Sequence, residues 1–286
     1  MALGAVTLLL TGWVNFRTCR RLGLLDWAGP TAFVALTFGT GLFHFASYDA
    51  GFSHVYSALG LAILLDRFVA GRVGVGTAAV VVLLVLVRNT NVLAVAALTL
   101  GHFARRRSWR DLLVVVLAGA VGCGVQLGLN AHAHGRLVLS SYGGERFLLD
   151  RPMALSVLFS AKKGLFAYYP VLAVVLAGGL LDRRTRPATA LYAGLLLAFA
   201  GVYGCWHSWW LGGGFGHRGF VELVPLAVPL FAAVLADAGR MRRAVLLTAT
   251  GLCLLLTLRL MAGYWRGDLP FEDVTPDCYR AVLVNR

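Results

Sequence analysis

The sequence predicts an all-α polytopic membrane protein with about 8–10 transmembrane helices. Of its 286 residues, 59% are hydrophobic and only 14% are charged, whereas a soluble domain carries about 25% charged residues. Long apolar runs alternate with short polar connections, and the basic residues cluster in those connections, mostly as arginine. Both patterns are typical of a chain that crosses a bilayer several times.

Ten apolar segments can be assigned, and each is compared with the ~20 residues that a helix needs to cross the hydrocarbon core. They cover residues 1–16, 27–46, 53–66, 73–87, 92–104, 112–130, 164–181, 188–206, 220–237 and 244–262. The pair 73–87 and 92–104 is short. These two segments therefore form either two full crossings or one re-entrant hairpin.

The arginines predict the orientation. When alternate connections are placed in the cytoplasm, five short connections collect 15 of the 26 basic residues, as the positive-inside rule requires. These residues are Arg17, Arg20, Arg21, Arg67, Arg72, Arg105, Arg106, Arg107, Arg110, Arg183, Arg184, Arg186, Arg240, Arg242 and Arg243. This pattern explains the net charge of +13 better than nucleic-acid binding, which needs basic residues along one soluble face.

The same assignment places every long connection on the external face, so function is expected there. It predicts one transmembrane helical domain over 1–262 and an external tail over 263–286. It also places the N-terminus outside, so the chain reads as if an odd number of spans were missing before it.

Five cysteines lie far apart without C-x-x-C spacing, which predicts neither a metal site nor a disulfide framework. No catalytic triad, P-loop, Rossmann fingerprint or zinc spacing is present either. The sequence therefore indicates no cofactor, and a divalent cation is not implied.

The first external turn carries Asp49 and His54 between two apolar segments. Such a pair is suited to general-base, metal-ligand or substrate hydrogen-bonding roles. The alternative is a solvated helix cap with Asp49 as an ordinary turn residue.

The motif "RNTN" at 88–91 places Arg88, Asn89 and Asn91 between two strongly apolar half-length segments. An unpaired charge there would cost several kcal/mol. Arg88 therefore needs a partner, which is either an acidic side chain or an anionic ligand such as a phosphate.

The longest external connection contains a polar turn with Tyr142 and Glu145, followed by Lys162 and Lys163 just before the next span. External lysines run against the positive-inside rule. Beside Tyr168 they either hold a lipid-linked phosphate at the interface or simply anchor the chain among lipid headgroups.

The segment "WHSWWLGGGFGHRGF" at 206–220 concentrates tryptophans, glycines, His217 and Arg218 between two apolar runs. Trp209 and Trp210 fit an interfacial aromatic belt, but a belt does not explain the glycines. We therefore expect a binding role, in which Arg218 either pairs with Glu222 one helical turn later or contacts a phosphate.

Four stretches in order, "YDAGFSHVYSALGLAILL", "LVRNTNVLAVAAL", "SYGGERFLLDRPMALSVLFSAKKGLFAYYPVL" and "WHSWWLGGGFGHRGFVELVPLAVPL", resemble bacterial membrane glycosyltransferases of the GT-C superfamily. The match is to family-39-like proteins related to protein O-mannosyltransferases and lipid A aminoarabinose transferases. It implies a GT-C-like membrane module in the bacterial inner (cytoplasmic) membrane, with its active face periplasmic or extracellular.

The resemblance implies that a polyprenyl-phosphate-linked sugar is the donor and that a glycan, lipid or protein is the acceptor. Under it, the lipid phosphate would contact Arg88, Lys162, Lys163 and Arg218. The sugar or acceptor would lie against Trp209, Trp210 and His217. Asp49 and His54 fall where the family carries polar residues in its second external loop.

The chain departs from the family pattern because the usual catalytic Asp of the first external loop has no counterpart. Asp49 is then expected to be an auxiliary residue in an inverting transfer, and the chain is either an N-terminally truncated form or a degenerate, inactive relative. The rival interpretation is a non-catalytic membrane protein, either a lipid or solute transporter or an assembly scaffold.

Overall fold

The structure is a computed structural model that describes residues 2–138 and 145–284, and within these ranges every regular element is helical. The α-helices are α1 Ala2–Arg21, α2 Ala28–Phe38, α3 Leu42–Ser47, α4 His54–Val69, α5 Val75–Val87, α6 Asn91–Arg106, α7 Trp109–His134, α8 Ala154–Phe159, α9 Leu165–Tyr168, α10 Val171–Leu181, α11 Arg186–Gly204, α12 Val224–Asp237, α13 Arg240–Arg266 and α14 Pro276–Val284. A 3-10 turn, Arg218–Leu223, leads directly into α12. The all-α prediction is confirmed.

Each of the ten apolar segments lies in helix, but two of them are interrupted. Segment 27–46 breaks between α2 and α3 at residues 39–41, and segment 164–181 breaks between α9 and α10 at Tyr169 and Pro170. A Cβ at Gly41 would collide with the Tyr169 hydroxyl, so the two breaks meet in space. The short helices α8 and α14 lie outside the predicted segments.

Among the described residues, four elements are long and apolar enough to cross a membrane, namely Trp109–His134, Arg186–Gly204, Arg218–Asp237 and Arg240–Arg266. They differ in burial, since 83% of the apolar window of Arg218–Asp237 is buried but only 17% of that of α7. A helix that is apolar on all sides and largely exposed is typical of contact with lipid. Arg218–Asp237 is instead the centre of the bundle, and the count of eight to ten spans stays a prediction.

The boundary at residue 262 falls within α13, which continues to Arg266. Beyond it, α14 returns to the bundle, because Arg259 Nε donates to the Val282 carbonyl at 2.6 Å and the Tyr279 hydroxyl donates to the Ala167 carbonyl at 2.6 Å. The tail therefore packs on the helices that precede it. Whether it forms a separate external unit stays a prediction.

A polar stripe on α1 faces α4. Thr7, Thr11, Asn15 and Thr18 are buried, and each side chain donates to a carbonyl one turn earlier in α1. Because these polar groups are satisfied within their own helix, the small side chains permit close helix contact without unpaired donors. The stripe ends at the buried Asp66 of α4.

The five arginine-rich connections converge at one end of the bundle, which we call the arginine end. Its ion pairs include Arg17 with Asp66, at 2.7 Å, and Arg184 with Asp237, at 3.5 Å. Arg243 lies over the Trp27 ring at 5.1 Å, which joins the two groups. This convergence agrees with the arginine pattern, whereas the assignment of this end to the cytoplasm stays a prediction.

Asp66→Asn tests the ion cluster at this end. The buried carboxylate accepts from Arg17 at 2.7 Å, lies 3.2 Å from the Thr18 hydroxyl and forms an ion pair with Arg21 at 3.3 Å. Because the amide cannot replace these charged hydrogen bonds, we expect the free energy of unfolding in detergent to fall by about 2 kcal/mol. Asp26→Asn, at an exposed position, is the matched control; an equal loss in both variants would contradict the assignment.

Candidate functional site

A cluster of buried charged groups lies at the opposite end of the bundle, which we call the polar end. Three chain breaks build it. The start of α4 supplies Ser53 and His54, the extended backbone of Arg88 (φ −156°, ψ 125°) separates α5 from α6, and the 3-10 turn before α12 carries Glu222. The side chains of His54, Arg88 and Glu222 meet in one shared interior space.

Glu222 is the centre of this cluster. Its side chain has no exposed surface, and its Oε2 atom lies 2.8 Å from His54 Nδ1 and 3.3 Å from Arg88 Nε. Its Oε1 accepts from Thr90 at 3.4 Å. A fully buried carboxylate needs such partners, since an unpaired one costs several kcal/mol.

The hydrogen bonds also assign the His54 tautomer. Arg88 Nη1 lies 3.3 Å from His54 Nε2, and a guanidinium can only donate, so Nε2 accepts and Nδ1–H donates to Glu222. Arg88 Nη2 further contacts the Tyr203 hydroxyl at 3.4 Å, and that hydroxyl donates to the Gly219 carbonyl at 3.3 Å. The sequence left two partners open for Arg88, and the structure supplies the acidic side chain.

The two asparagines of "RNTN" have different environments. Asn91 is buried, and its Nδ2 donates to Ser57 at 2.9 Å and to the Leu84 carbonyl at 2.8 Å, which ties α6 to α4 and α5. Asn89 is exposed. The contacts of Asn91 are those of a structural residue, while a substrate role for Asn89 stays a prediction.

Asp49 does not contact His54; its partner is His44, which the sequence reading missed. His44 is buried, and its Nε2 lies 2.9 Å from Asp49 Oδ2. Trp265 Nε1 donates to His44 Nδ1 at 2.9 Å. Since an indole can only donate, Nδ1 accepts and Nε2–H points at the carboxylate. His44 thus orients Asp49, whose side chain stays 23% exposed.

Two aromatic faces border this pair. Tyr48 and Trp265 are 5.8 Å apart at an interplanar angle of 25°, and they remain 53% and 38% exposed. Both rings stack near His44, at 5.5 and 6.2 Å. Exposed, nearly parallel rings beside an oriented carboxylate form a surface suited to an amphipathic ring such as a sugar.

Lys163 lies in another part of the polar end, between residues 212–214 and the tail. Its buried ammonium donates to the carbonyls of Gly212 (2.7 Å), Gly214 (2.7 Å) and Phe271 (3.0 Å). These three acceptors use all three donors of an ammonium group. Burial lowers the pKa of Lys163 to about 7, and the nearby Arg218 adds to this effect. Through these contacts Lys163 joins the glycine-rich residues 211–216, which we call the glycine segment, to the tail.

Lys162 points the other way. Its Nζ lies 3.2 Å from Asp273 and 3.6 Å from the centre of the Trp210 ring, and its side chain is 24% exposed. Trp210 Nε1 donates to Glu272 at 2.9 Å. Lys162 and Trp210 therefore form a partly solvated cation–π pair with the acidic start of the tail.

His217 and Trp209 form part of the interior. His217 has no exposed surface, and its Nε2–H donates to the Trp209 carbonyl at 3.0 Å while Nδ1 has no partner among the described residues. Burial lowers the pKa of His217 to about 3, so the ring is neutral. Tyr168 is buried as well, with its hydroxyl donating to the Ala161 carbonyl at 3.0 Å.

Arg218 follows the glycine segment. It donates to the Gly213 carbonyl at 3.0 Å and lies over the Phe52 ring at 4.8 Å. Gly216 has φ +58°, and a Cβ there would lie 2.6 Å from the Tyr169 hydroxyl. Both the backbone conformation and the packing thus require glycine at this turn, which directs the chain into the 3-10 turn.

The two remaining candidates lie on the long connection. Glu145 is exposed, and Tyr142 lies outside the described residues. The structure thus brings His54, Arg88 and Glu222 into one network. It places Asp49 with His44 and Trp265, and it joins Lys162, Lys163, Trp210 and the tail around the glycine segment.

His44, Tyr203 and Trp265 are the residues that sequence reasoning missed. His44 lies within an apolar segment, and Trp265 follows it by 221 positions. One signal was present, since a histidine in an apolar run needs partners for both ring nitrogens. The identity of those partners depends on tertiary contacts.

Among residues 2–138 and 145–284, no three His, Cys, Asp or Glu side chains are grouped so as to hold a metal ion. Comparison with protein-family models, curated proteins and solved structures gives no match.

Glu222→Gln tests the buried network. Loss of the carboxylate leaves the Arg88 charge without its compensating partner, so we expect the free energy of unfolding to fall by about 3 kcal/mol. Glu145→Gln, at an exposed site, is the control. The double variant Arg88→Gln/Glu222→Gln should lose less than the sum of the single variants, and strict additivity would contradict a direct ion pair.

Acid should destabilise the fold through His217. Because its folded pKa of about 3 lies below its ordinary value of 6.5, only the unfolded chain gains this proton between those values. The free energy of unfolding should fall by about 1.4 kcal/mol per pH unit from roughly pH 6 to pH 4. His217→Gln should flatten this slope and the exposed-site variant His207→Gln should not; identical slopes in all three proteins would refute the assignment.

Proposed function

We propose that the chain is a polytopic membrane protein that transfers a sugar from a polyprenyl-phosphate donor to an acceptor at its polar end. One observation carries the proposal. The Asp49 carboxylate is partly exposed, is oriented by a buried histidine, and lies beside the exposed Tyr48 and Trp265 rings. A base next to a surface for a sugar ring is what such a transfer requires.

Asp49 is assigned as the base because of its accessibility. The carboxylate of Glu222 has no exposed surface and is engaged by His54 and Arg88, so it cannot reach an acceptor. Asp49 uses Oδ2 for His44. Its carboxylate therefore retains acceptor capacity for a substrate hydroxyl.

The proposed step is a single displacement. Asp49 removes the proton from the acceptor hydroxyl, and that oxygen bonds to the anomeric carbon. The bond between the anomeric carbon and the phosphate oxygen breaks, and polyprenyl phosphate leaves with the electron pair. A nearby cation lowers the cost of the developing negative charge.

Arg218 and Lys162 are the cations that we assign to the phosphate. Phe215 lies 5.6 Å from His44 between ring centres, and Arg218 follows Phe215 by three residues, so we place the guanidinium on the side of the phosphate in this proposal. The ammonium of Lys163 is committed to three carbonyls and Arg88 to Glu222. These two are assigned to holding the site in shape.

The second candidate is a non-catalytic membrane protein, a transporter or an assembly scaffold. The observation in its favour is that two cations of the polar end, Arg88 and Lys163, are neutralised or saturated by the protein itself. If these cations only stabilise the fold, the site does not require a phosphate ligand to balance their charge.

Binding is tested with undecaprenyl monophosphate, the leaving group shared by every such sugar donor, against undecaprenol as the uncharged control lipid. We expect the phosphate form to raise the unfolding temperature of the detergent-solubilised chain by about 5 °C. Arg218→Gln should remove most of this shift and Asp49→Asn should keep it. Equal shifts with both lipids would favour the non-catalytic candidate.

Transfer is tested by release of undecaprenyl phosphate from undecaprenyl-phosphate-linked mannose and aminoarabinose, each incubated with the protein in membranes. Asp49→Asn should slow release at least ~100-fold, since a general base contributes about 10²–10⁴. Asp268→Asn, an exposed carboxylate paired with Arg266, is the matched control. Unchanged release by Asp49→Asn would exclude Asp49 as the base.

A further inference from the structure

A large cavity has its rim at the arginine end and extends along α12 as far as Leu226, four residues after Glu222. It measures about 1060 Å³ and is bounded by α4, α6, α11 and α12, which is at the top of the roughly 300–1,000 Å³ range of small-molecule sites. Its deep walls are apolar and include Leu195, Leu226, Pro229 and Ala233. Such walls suit a hydrocarbon chain and disfavour a polar soluble ligand.

The rim of the cavity is basic. Arg105 and Arg106 at the end of α6 and Arg184 before α11 line it. The acidic groups nearby in the chain have other partners, since Asp66 binds Arg17 and Arg21, and Asp111 binds His102. Within residues 2–138 and 145–284, no ion pair involves Arg105 or Arg106, and the contact of Arg184 with Asp237 is long, at 3.5 Å, and exposed.

The wall of the cavity contains the buried hydroxyl group of Tyr192. Tyr192 lines the cavity and is only 4% exposed, and its hydroxyl has no hydrogen-bond partner in the part of the chain that the structure describes. An unsatisfied buried hydroxyl costs about 1–3 kcal/mol. A ligand oxygen placed below the rim would satisfy it.

We propose that this cavity binds a phospholipid with an anionic headgroup. Its phosphate contacts Arg105, Arg106 and Arg184, an ester oxygen accepts from Tyr192, and an acyl chain fills the apolar interior. Basic pockets between membrane helices on the cytoplasmic side bind anionic headgroups in this way. The inference depends on the membrane location included in the proposed function and is independent of sugar transfer.

The test uses the full chain, delipidated in detergent, with dioleoylphosphatidylglycerol or dioleoylphosphatidylcholine added. The anionic lipid should raise the unfolding temperature about 5 °C more than the zwitterionic lipid. Arg105→Gln/Arg106→Gln should remove this difference. Arg110→Gln/Arg240→Gln is the matched control, because it removes the same charge from exposed sites at the same end that do not line the cavity.

Tyr192→Phe separates the cavity from the general surface charge. It removes an unsatisfied hydroxyl, so it should not lower the unfolding temperature of the delipidated protein, yet it should reduce the response to the anionic lipid. Equal responses to both lipids, an equal loss in the control double variant, or a full response to inorganic phosphate alone would each overturn the proposal.

The proposed lipid binding in the cavity and the proposed sugar transfer at the polar end can be tested independently. Arg105→Gln/Arg106→Gln should leave both the undecaprenyl phosphate shift and sugar release unchanged, whereas Arg218→Gln should leave the phosphatidylglycerol response unchanged. Loss of the undecaprenyl phosphate shift in Arg105→Gln/Arg106→Gln would count against the cavity as a site for a separate lipid.

Discussion

The buried carboxylate of Glu222 is the interaction on which the polar end depends. It joins the start of α4, the break between α5 and α6, and the 3-10 turn before α12 through His54, Arg88 and Thr90. Side-chain hydrogen bonds and ion pairs thus connect three places where helices begin or break. The turn that carries Glu222 leads into α12, and together they form Arg218–Asp237, the most buried of the four long apolar elements among the described residues.

The helices could be predicted from sequence because apolar runs and arginine clusters are local signals. The breaks inside segments 27–46 and 164–181 fall at Gly39, Gly41 and Pro170, which are local helix-breaking residues, but that the two breaks meet through Gly41 and Tyr169 depends on tertiary structure. The need of Arg88 for a partner was also predictable from the cost of a buried charge. Its identity was not, since Glu222 lies more than a hundred residues away along the chain.

The contacts of Lys163 could not be predicted from sequence. A lysine on the predicted external side is unusual, and the sequence left open a phosphate ligand or an anchor among lipid headgroups. In the fold, the turns of the glycine segment direct two carbonyls inward, and the ammonium satisfies them together with Phe271. Carbonyl direction depends on backbone angles, which the pattern of residue types does not specify. Asp49 was a candidate at the sequence level because it stands with His54 in a polar turn between two apolar segments, whereas its orientation by His44 required the structure.

Helix α12 connects the polar end of the molecule to the cavity at the arginine end. The turn that carries Glu222 leads directly into it, and the face formed by Leu226, Pro229, Leu230 and Ala233 borders the cavity. The helical rise from Glu222 to Ala233 is about 17 Å. One continuous helical element therefore contains both Glu222 at the polar end and a wall of the cavity. The two ends therefore share one structural support, so a substitution that shifts α12 as a whole would disturb both, unlike a substitution at either end alone.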